Sequence, residues 1–330
     1  METNRLKIAF VGFRHGHIYS LYNKAAGHSE LELVAACEEN PTAAAAVPPT
    51  VKITHNSFKE LLETVPCDIV AIGDYYARRG SLAIEALRHG KHVILDKPVC
   101  TSLAELDKIE KLSKEKNLRV GCMLDMREKT CFLRARKFIQ SGRLGKVTQI
   151  HFGGQHPLLL GSRPGWYFEA GKQGGTINDI AIHGIDMITF LTGDTIAETL
   201  AAREWQAFYT RDDNFRDAAQ FMLETSSGCG VIGDVSYAAP DSQGYTNPLY
   251  WRFTIWGTAG VLDITSTKEL VMAYLNSDDK GFAVEESVDP LPDCLDSFLA
   301  DIAGTPADLN TSSVLAVSRS TLQIQQQAVN

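Results

Sequence analysis

Short apolar runs alternate with helical segments through the first 125 residues of the chain. Runs such as Leu31–Cys37, residues 68–73 and His92–Leu95 are typical of strands that are buried on both faces. The intervening segments carry helix signals, with Ser57 and Ser102 each placed to cap a helix. Because parallel neighbours need a crossover connection, this alternation predicts a doubly wound parallel sheet.

The pattern changes after residue 125. Long strand-like segments are predicted at 147–156, Ile196–Trp205, 218–224, 230–237, 251–256 and 270–274, with a helix at about 177–191 and two more near 295–303 and 313–326. Strands with few helices between them predict a largely antiparallel sheet with one face open. We therefore expect an α/β Rossmann-type domain at 1–125 and an α+β substrate-binding and oligomerisation domain at 126–330. The last helix could return to pack on the first domain.

The charge balance excludes some classes of partner. The chain has 32 Lys and Arg against 40 Asp and Glu, a net charge of −8, so neither nucleic acid nor an anionic membrane surface is expected to bind. It contains no apolar run of 18 residues, and hence no predicted transmembrane helix. Its first residues lead into a strand, not into the apolar core of a signal peptide, so we expect a cytoplasmic protein.

The seven cysteines are irregularly spaced, and no pair is separated by only two residues. Buried, reduced thiols are the expected state. His15 and His17 lie two positions apart, but no third ligand is near them in sequence. We therefore predict no metal site.

The loop after the first strand resembles the GxGxxG dinucleotide loop. It reads Gly12-Phe13-Arg14-His15-Gly16-His17. Gly12 fills the first position, whereas Arg14 and His17 replace the second and third glycines. Ligands bind beyond the carboxyl ends of strands in such sheets, so a dinucleotide is expected here. Arg14 could offer its guanidinium to the phosphates or crowd them out.

Glu38 follows the second strand, where an acidic side chain can accept hydrogen bonds from the ribose hydroxyls of NAD. It would repel the extra phosphate of NADP, and no basic residue lies beside it in Cys37-Glu38-Glu39-Asn40. NAD is therefore favoured over NADP. The alternative is that Glu38 only caps the helix that starts at Pro41.

A helix after Gly174-Gly175 carries Asp179 and His183 at an i,i+4 spacing, which places both on one face. A carboxylate beside an imidazole can set its tautomer and pKa for proton transfer. The alternative is a solvated polar face at a helix start. The upstream segment Asp96-Lys97-Pro98 favours the catalytic interpretation.

Together these motifs resemble the glucose–fructose oxidoreductase / inositol dehydrogenase (Gfo/Idh/MocA) family along essentially the entire chain. The segments that carry the resemblance are Gly90-Lys91-His92-Val93-Ile94-Leu95-Asp96-Lys97-Pro98, Gly142-Arg143-Leu144-Gly145, Gly174 to His183 with Asp186, and Trp256-Gly257-Thr258-Ala259-Gly260. The resemblance implies an NAD-dependent oxidoreductase that transfers a hydride between nicotinamide and a hydroxyl of a sugar, sugar acid or cyclitol. It also implies a homodimer or homotetramer built on the open sheet face.

The resemblance also implies roles for individual residues. Lys97 would lie near the nicotinamide and polarise the reacting oxygen, His183 would be the general base, and Asp179 would orient the substrate or tune His183. Cofactor contacts are expected from Gly12, Phe13, Arg14, His15, Glu38, Asp74, Tyr75, Arg79, Asp96, Lys97 and Pro98.

Three departures from the family pattern surround the cofactor. Asp96 stands where the family has glutamate, which shortens the side chain by one methylene. Arg14 replaces the second loop glycine. Tyr75, Tyr76 and Arg79 stand where the family often has Pro, Asn and His. These changes bear on the affinity and pose of the cofactor more than on the fold.

Substrate contacts are expected from the second domain. Arg163 could bind a carboxylate or sugar hydroxyls, and Trp166 could either stack on a sugar ring or serve only in packing. His156 ends a predicted strand and is a further candidate.

Two other functions stay open at this point. A redox-neutral enzyme that retains NAD could carry out elimination, epimerisation or glycoside cleavage. A non-catalytic ligand-binding protein could use the same scaffold, which the altered glycine loop favours. The set of Lys97, Asp179 and His183 opposes this last function.

Overall fold

The computed structural model describes residues 5–329. They form two compact units. The first comprises the chain up to Met123, Gly171–Gln173 and Pro292–Arg319, and the second comprises Leu124–Ala170, Gly174–Leu291 and the chain from Ser320. The proposed domain limits at 1–125 and 126–330 stay a prediction.

The described residues form strands and α-helices, with a few short turns of other helix types between them. The strands are β1 (Leu6–Val11), β2 (Leu31–Cys37), β3 (Ile69–Ile72), β4 (His92–Leu95), β5 (Val120–Cys122), β6 (Val147–Pro157), β7 (Ile196–Trp205), β8 (Ala218–Thr225), β9 (Gly230–Ala239), β10 (Arg252–Gly257), β11 (Gly260–Thr265), β12 (Leu270–Leu275) and β13 (Phe282–Ala283). The helices are α1 (His17–Gly27), α2 (Pro41–Ala46), α3 (Phe58–Thr64), α4 (Tyr76–Arg88), α5 (Leu103–Lys116), α6 (Thr130–Gln140), α7 (Ile182–Thr192), α8 (Cys294–Ile302) and α9 (Thr311–Val329).

A five-stranded sheet forms the centre of the first unit, in the order β2-β1-β3-β4-β5. All its pairings are parallel, which confirms the predicted doubly wound sheet. Every residue of β3 is fully buried, as expected for a strand covered on both faces. The predicted caps are also present, because the Ser57 and Ser102 hydroxyls accept hydrogen bonds from the amides of Glu60 and Glu105.

An eight-stranded sheet dominates the second unit, in the order β13-β12-β11-β10-β6-β9-β8-β7. Only β6 and β9 pair in parallel, so the predicted mostly antiparallel sheet is confirmed. One face is buried by aromatic residues such as Phe152 and Phe253, whose ring centroids lie 5.4 Å apart. The other face exposes apolar side chains such as Met222 and Ile232. Within residues 5–329, no helix is both long and apolar enough to cross a membrane.

Candidate functional site

The loop after β1 depends on glycine at position 12. Gly12 has a φ of +76°, and a Cβ there would lie 2.6 Å from the Cβ and the amide nitrogen of Asp74. Helix α1 starts beyond the loop with Gly16 at its N-cap, and among the described residues no side chain caps this end. The amides and dipole of a helix N-terminus suit an anion, so the loop fits the pyrophosphate of a dinucleotide.

Glu38 holds this loop against the end of β2. Its side chain is buried; Oε2 accepts a hydrogen bond from the Phe13 amide at 2.7 Å, and Oε1 accepts one from the Asn40 amide at 2.9 Å. Asn40 caps α2 instead, since its Oδ1 accepts from the Ala43 amide. The alternative role of Glu38 as the helix cap is therefore wrong. Each carboxylate oxygen keeps a second lone pair that a ribose hydroxyl can use.

Asp74 connects two of the predicted cofactor residues at the end of β3. Its carboxylate accepts the Tyr75 amide at 2.7 Å and lies 3.9 Å from an Arg14 guanidinium nitrogen and 3.4 Å from one of Arg78. Arg14 also lies over the Tyr75 ring, 5.5 Å from its centroid. Burial raises the pKa of Asp74 to about 6, with a further contribution from the charge on Glu38.

Arg79 and Asp96 form a fully buried ion pair at 2.9 Å. The Arg79 guanidinium also donates to the backbone carbonyls of Asp74, Asp96 and Lys97. Burial acts to raise the pKa of Asp96, but the Arg79 cation and the two neighbouring histidines outweigh it and hold that pKa well below its usual value. Because Arg79 has no exposed surface, the geometry favours positioning of the strand ends over direct contact with a cofactor.

His15 and His17 both contact the carboxylate of Asp96. His15 Nδ1 lies 2.5 Å from Oδ2, and His17 Nδ1 lies 3.1 Å from Oδ1. His15 Nε2 also lies 3.3 Å from the Tyr76 hydroxyl. Burial lowers the pKa of His15 to about 4 despite the nearby carboxylate. The sequence argument against a metal considered only neighbours along the chain and so missed Asp96, 79 positions after His17.

Lys97 follows Asp96 at the carboxyl end of β4 and is only 5% exposed. Its Nζ lies 5.8 Å from the centroid of the Tyr76 ring, a cation–π contact that helps to hold the ammonium in a buried place. Pro98 comes next and is also buried. A buried lysine at a strand end is poorly explained as a solvated surface residue.

Asp179 and His183 are both buried in the second unit, with exposures of 2% and 6%. The predicted regular helix is wrong in detail here, because Ile177–Ala181 is a π-helical turn and α7 follows it. Such turns occur often at functional sites. The Tyr237 hydroxyl donates to Asp179 Oδ2.

Sequence reasoning missed Tyr237 as a member of this group. Its inward position on β9, between Ser236 and Ala238, was the available signal, but strand alternation does not reveal which residue it faces. Burial raises the pKa of Tyr237 well above its usual value, and the nearby Asp179 carboxylate raises it further. Asp186, which belongs to the family-like segment, binds the Arg127 guanidinium at 2.5 and 2.8 Å.

The predicted substrate residues of the second unit lie among aromatic rings. His156 packs edge-on against Tyr250, with ring centroids 4.7 Å apart. Arg163 lies over the Tyr167 and Tyr237 rings, at 4.8 and 5.2 Å from their centroids. It also donates to the backbone carbonyls of Leu158 and Pro157, so its position is fixed by several contacts.

Trp166 is 3% exposed and stacks on Tyr167 with a centroid separation of 4.2 Å. Of its two predicted roles, packing is accounted for by the stacking on Tyr167, and contact with a sugar stays a prediction. We therefore keep His156 and Arg163 as the stronger candidates for substrate contact.

Two sequence families match the chain. Residues 6–123 match the oxidoreductase family with an NAD-binding Rossmann fold, and residues 132–263 match the GFO/IDH/MocA C-terminal domain. Levoglucosan dehydrogenase of Pseudarthrobacter phenanthrenivorans is 24% identical over 69% of this chain and 64% of its own length. Inositol 2-dehydrogenase of Rhizobium meliloti is 24% identical over 75% of this chain and 72% of its own length.

The chain spans less than two thirds of the length of several curated relatives. One of them is an uncharacterized oxidoreductase of Escherichia coli, which is 27% identical over 69% of this chain and 63% of its own length. Among solved structures, the WlbA dehydrogenase of Bordetella pertussis in complex with NADH and UDP-GlcNAcA has the same fold. It gives a TM-score of 0.78 at 19% identity and covers 99% of this chain and 97% of that one. The fold and both family matches show that the chain belongs to the Gfo/Idh/MocA oxidoreductase family, whose N-terminal domain has the NAD-binding Rossmann fold.

Proposed function

We propose that this protein is an NAD-dependent dehydrogenase of carbohydrate metabolism. It would transfer a hydride between nicotinamide and a hydroxyl-bearing carbon of a sugar, sugar acid or cyclitol. The observation that carries the proposal is Lys97, a buried cation at the carboxyl end of β4 in the NAD-binding unit. The names of the levoglucosan and inositol dehydrogenases support a polyhydroxylated substrate.

Two features of the first unit fit NAD. The N-terminus of α1 suits the pyrophosphate, and the buried carboxylate of Glu38 suits the ribose hydroxyls. The nearby Arg78 cation could bind the extra phosphate of NADP, but Arg78 already forms ion pairs with Glu39 and Asp74. When bound, NAD supplies the hydride acceptor.

Lys97 would stabilise the negative charge that develops on the substrate oxygen when the hydroxyl proton leaves. The Lys97 ammonium is suited to this role because it is already desolvated and fixed. His183 would take that proton on a ring nitrogen. Tyr237 keeps its own proton because its pKa is raised, and so it can donate to the Asp179 carboxylate throughout. Asp179, held in this way, would orient the substrate or tune His183.

The aromatic surroundings of His156 and Arg163 support a sugar-like substrate. Rings bind the apolar faces of sugars, and a few fixed polar groups select the hydroxyls. Arg163 is already held by Tyr167 and Tyr237, so it can bind a carboxylate or hydroxyl with little loss of side-chain entropy.

We also propose a homodimer or homotetramer that forms through the open sheet face of the second unit. Met222 on β8 pairs directly with Ile232 on β9, and their side chains are 45% and 48% exposed. Leu200 and Tyr274 are further exposed apolar residues of this sheet. Neighbouring exposed apolar side chains such as Met222 and Ile232 are typical of an interface. Sedimentation that shows only monomers at micromolar concentration would contradict this proposal.

A cytoplasmic location is also proposed. All seven cysteines are buried, as expected of thiols in a reducing compartment. Fractionation that recovers the native protein with the periplasmic or secreted fraction would contradict it.

The test is an activity screen of polyols, aldoses and uronic acids with NAD, followed by substitution. Lys97→Ala and His183→Ala should each lower turnover at least about a hundredfold, as expected when a general acid–base or oxyanion-stabilising group is lost. Lys59→Ala and His89→Ala are matched controls, because both side chains are exposed. If both site variants keep full activity, the mechanism is wrong. Tightly retained NAD with no net reduction would instead indicate the redox-neutral alternative.

A further inference from the structure

The side chains of His15, His17 and Asp96 meet at the carboxyl ends of β1 and β4. One ligand atom from each lies within 4.8 Å of the others. Among residues 5–329, they are the one such group of three histidine, cysteine or acidic residues. We propose that they bind a divalent transition-metal ion of the zinc type at the edge of the proposed dinucleotide loop, and this binding needs no bound NAD.

The distances between the ligand atoms suit such an ion. Nitrogen and oxygen ligands lie about 2.0–2.2 Å from Zn²⁺, which places neighbouring ligand atoms about 3.3 Å apart in a tetrahedron. The two imidazole-to-carboxylate distances are 2.5 and 3.1 Å. Movements of less than about 1 Å would therefore create the coordination geometry, and the ion would replace the two hydrogen bonds to Asp96.

Second contacts hold two of the ligands in place. His15 Nε2 lies 3.3 Å from the Tyr76 hydroxyl, so a proton on Nε2 can be donated there while Nδ1 faces the ion. Arg79 binds Asp96 Oδ2 at 2.9 Å and fixes the orientation of the carboxylate. Outer contacts of this kind orient metal ligands and set the histidine tautomer.

The chemistry of the ligands selects the kind of ion. Two imidazoles and one carboxylate suit Zn²⁺ and similar ions, whereas Mg²⁺ and Ca²⁺ prefer oxygen ligands only. Three protein ligands leave at least one position open, as in catalytic zinc sites. The His17 side chain is 48% exposed, so that position can be filled by water or by an oxygen of a small molecule. The Arg79 cation opposes binding, which predicts micromolar rather than nanomolar affinity.

The experiment uses the full chain after treatment with a chelator. Co²⁺ is titrated in without NAD while its visible absorption is followed, and Zn²⁺ is then added in competition. We expect one Co²⁺ per chain, no thiolate-to-cobalt charge-transfer band, and displacement by one equivalent of Zn²⁺. His17→Ala and His15→Ala should each weaken binding at least about tenfold.

His28→Ala is the matched control, because His28 also contacts a carboxylate, with its Nε2 2.9 Å from Asp296, but belongs to no group of three ligands among the described residues. It should bind Co²⁺ like the wild type. His17 is half exposed, so its removal tests the site even if His15→Ala fails to fold. Absence of saturable binding, a thiolate band, or unchanged affinity in His17→Ala would each overturn the proposal.

Discussion

Arg79 Nη2 lies 2.9 Å from Asp96 Oδ2, and neither side chain has any exposed surface. The same guanidinium binds the carbonyls of Asp74 and Asp96, so one cation holds the ends of β3 and β4 together. By the family resemblance, histidine often stands at position 79 and glutamate at position 96, so both residues differ from the expected pattern. The two residues that depart from the family pattern therefore contact each other.

This ion pair predicts a large loss of stability on substitution. Arg79→Leu would leave the Asp96 charge buried without its partner, which should lower the free energy of unfolding by about 3–5 kcal/mol. Arg88→Leu is the control, because that side chain is 60% exposed and its ion pair with Glu85 should be worth less than about 1 kcal/mol. Urea unfolding measures both. Equal stability of the two variants would contradict the account.

Gly12→Ala should destabilise the first unit by about 1–3 kcal/mol, since the left-handed backbone and the contact with Asp74 both oppose a Cβ. It should also abolish NAD binding, because the loop must shift. Gly16→Ala lies in the same loop, with open space for a Cβ and a φ of −64°. Thermal unfolding should therefore distinguish them, and a Gly12→Ala protein as stable as Gly16→Ala would show that the loop tolerates a side chain.

The raised pKa of Asp74 predicts that the stability of the folded protein depends on pH. Its folded-state pKa of about 6 is raised above the ordinary 3.8, so the folded protein binds a proton that the unfolded chain has released in this window. Stability therefore falls as pH rises from about 4 to about 6. The substitution Asp74→Asn removes this charge. It should raise the free energy of unfolding by up to about 3 kcal/mol at pH 7 and by little at pH 4.

The measurement is the difference in unfolding free energy between Asp74→Asn and the wild type at each pH, which cancels the titration of shared groups. A difference that does not change between pH 4 and pH 7 would mean that the carboxylate is not destabilised by burial.

Tyr237→Phe should lower turnover about tenfold to a hundredfold while the fold survives. The change removes one hydrogen bond to the Asp179 carboxylate, and such bonds to charged groups are worth about 1.5–3 kcal/mol. Tyr274→Phe provides the control, because that ring is 48% exposed on the same sheet. The measurement is the steady-state turnover of both variants on the substrate that the activity screen identifies. Equal turnover of the two variants would exclude a role for Tyr237.

Periodicity and local signals were enough to predict the architecture. The apolar runs identified β2 and β4, and the capping residues Ser57 and Ser102 marked helix starts. Helix α4 begins at Tyr76, and its first turns do not follow a simple apolar pattern, because Arg79 is buried there through bonds to backbone carbonyls. Strand β11 was missed because it is joined to β10 by a very short turn.

Contacts between distant residues could not be predicted in this way. The pairing of Asp96 with Arg79, His15 and His17, and that of Asp179 with Tyr237, join positions that no local pattern relates. Burial decides their chemistry, since a carboxylate without solvent must find partners. Sequence alone therefore predicts candidate reactive residues, but it does not predict the groups that position them.

Calorimetric titration of NAD and NADP into the cofactor-stripped protein tests the central claim most directly. The account predicts saturable binding of NAD, weaker binding of NADP, and loss of this preference in Glu38→Gln, whose amide cannot accept at both positions. Tighter binding of NADP would contradict the role of Glu38. No binding of either dinucleotide would show that Arg14 and the Tyr75–Arg79 segment close the site. That result would favour the non-catalytic ligand-binding function over the dehydrogenase.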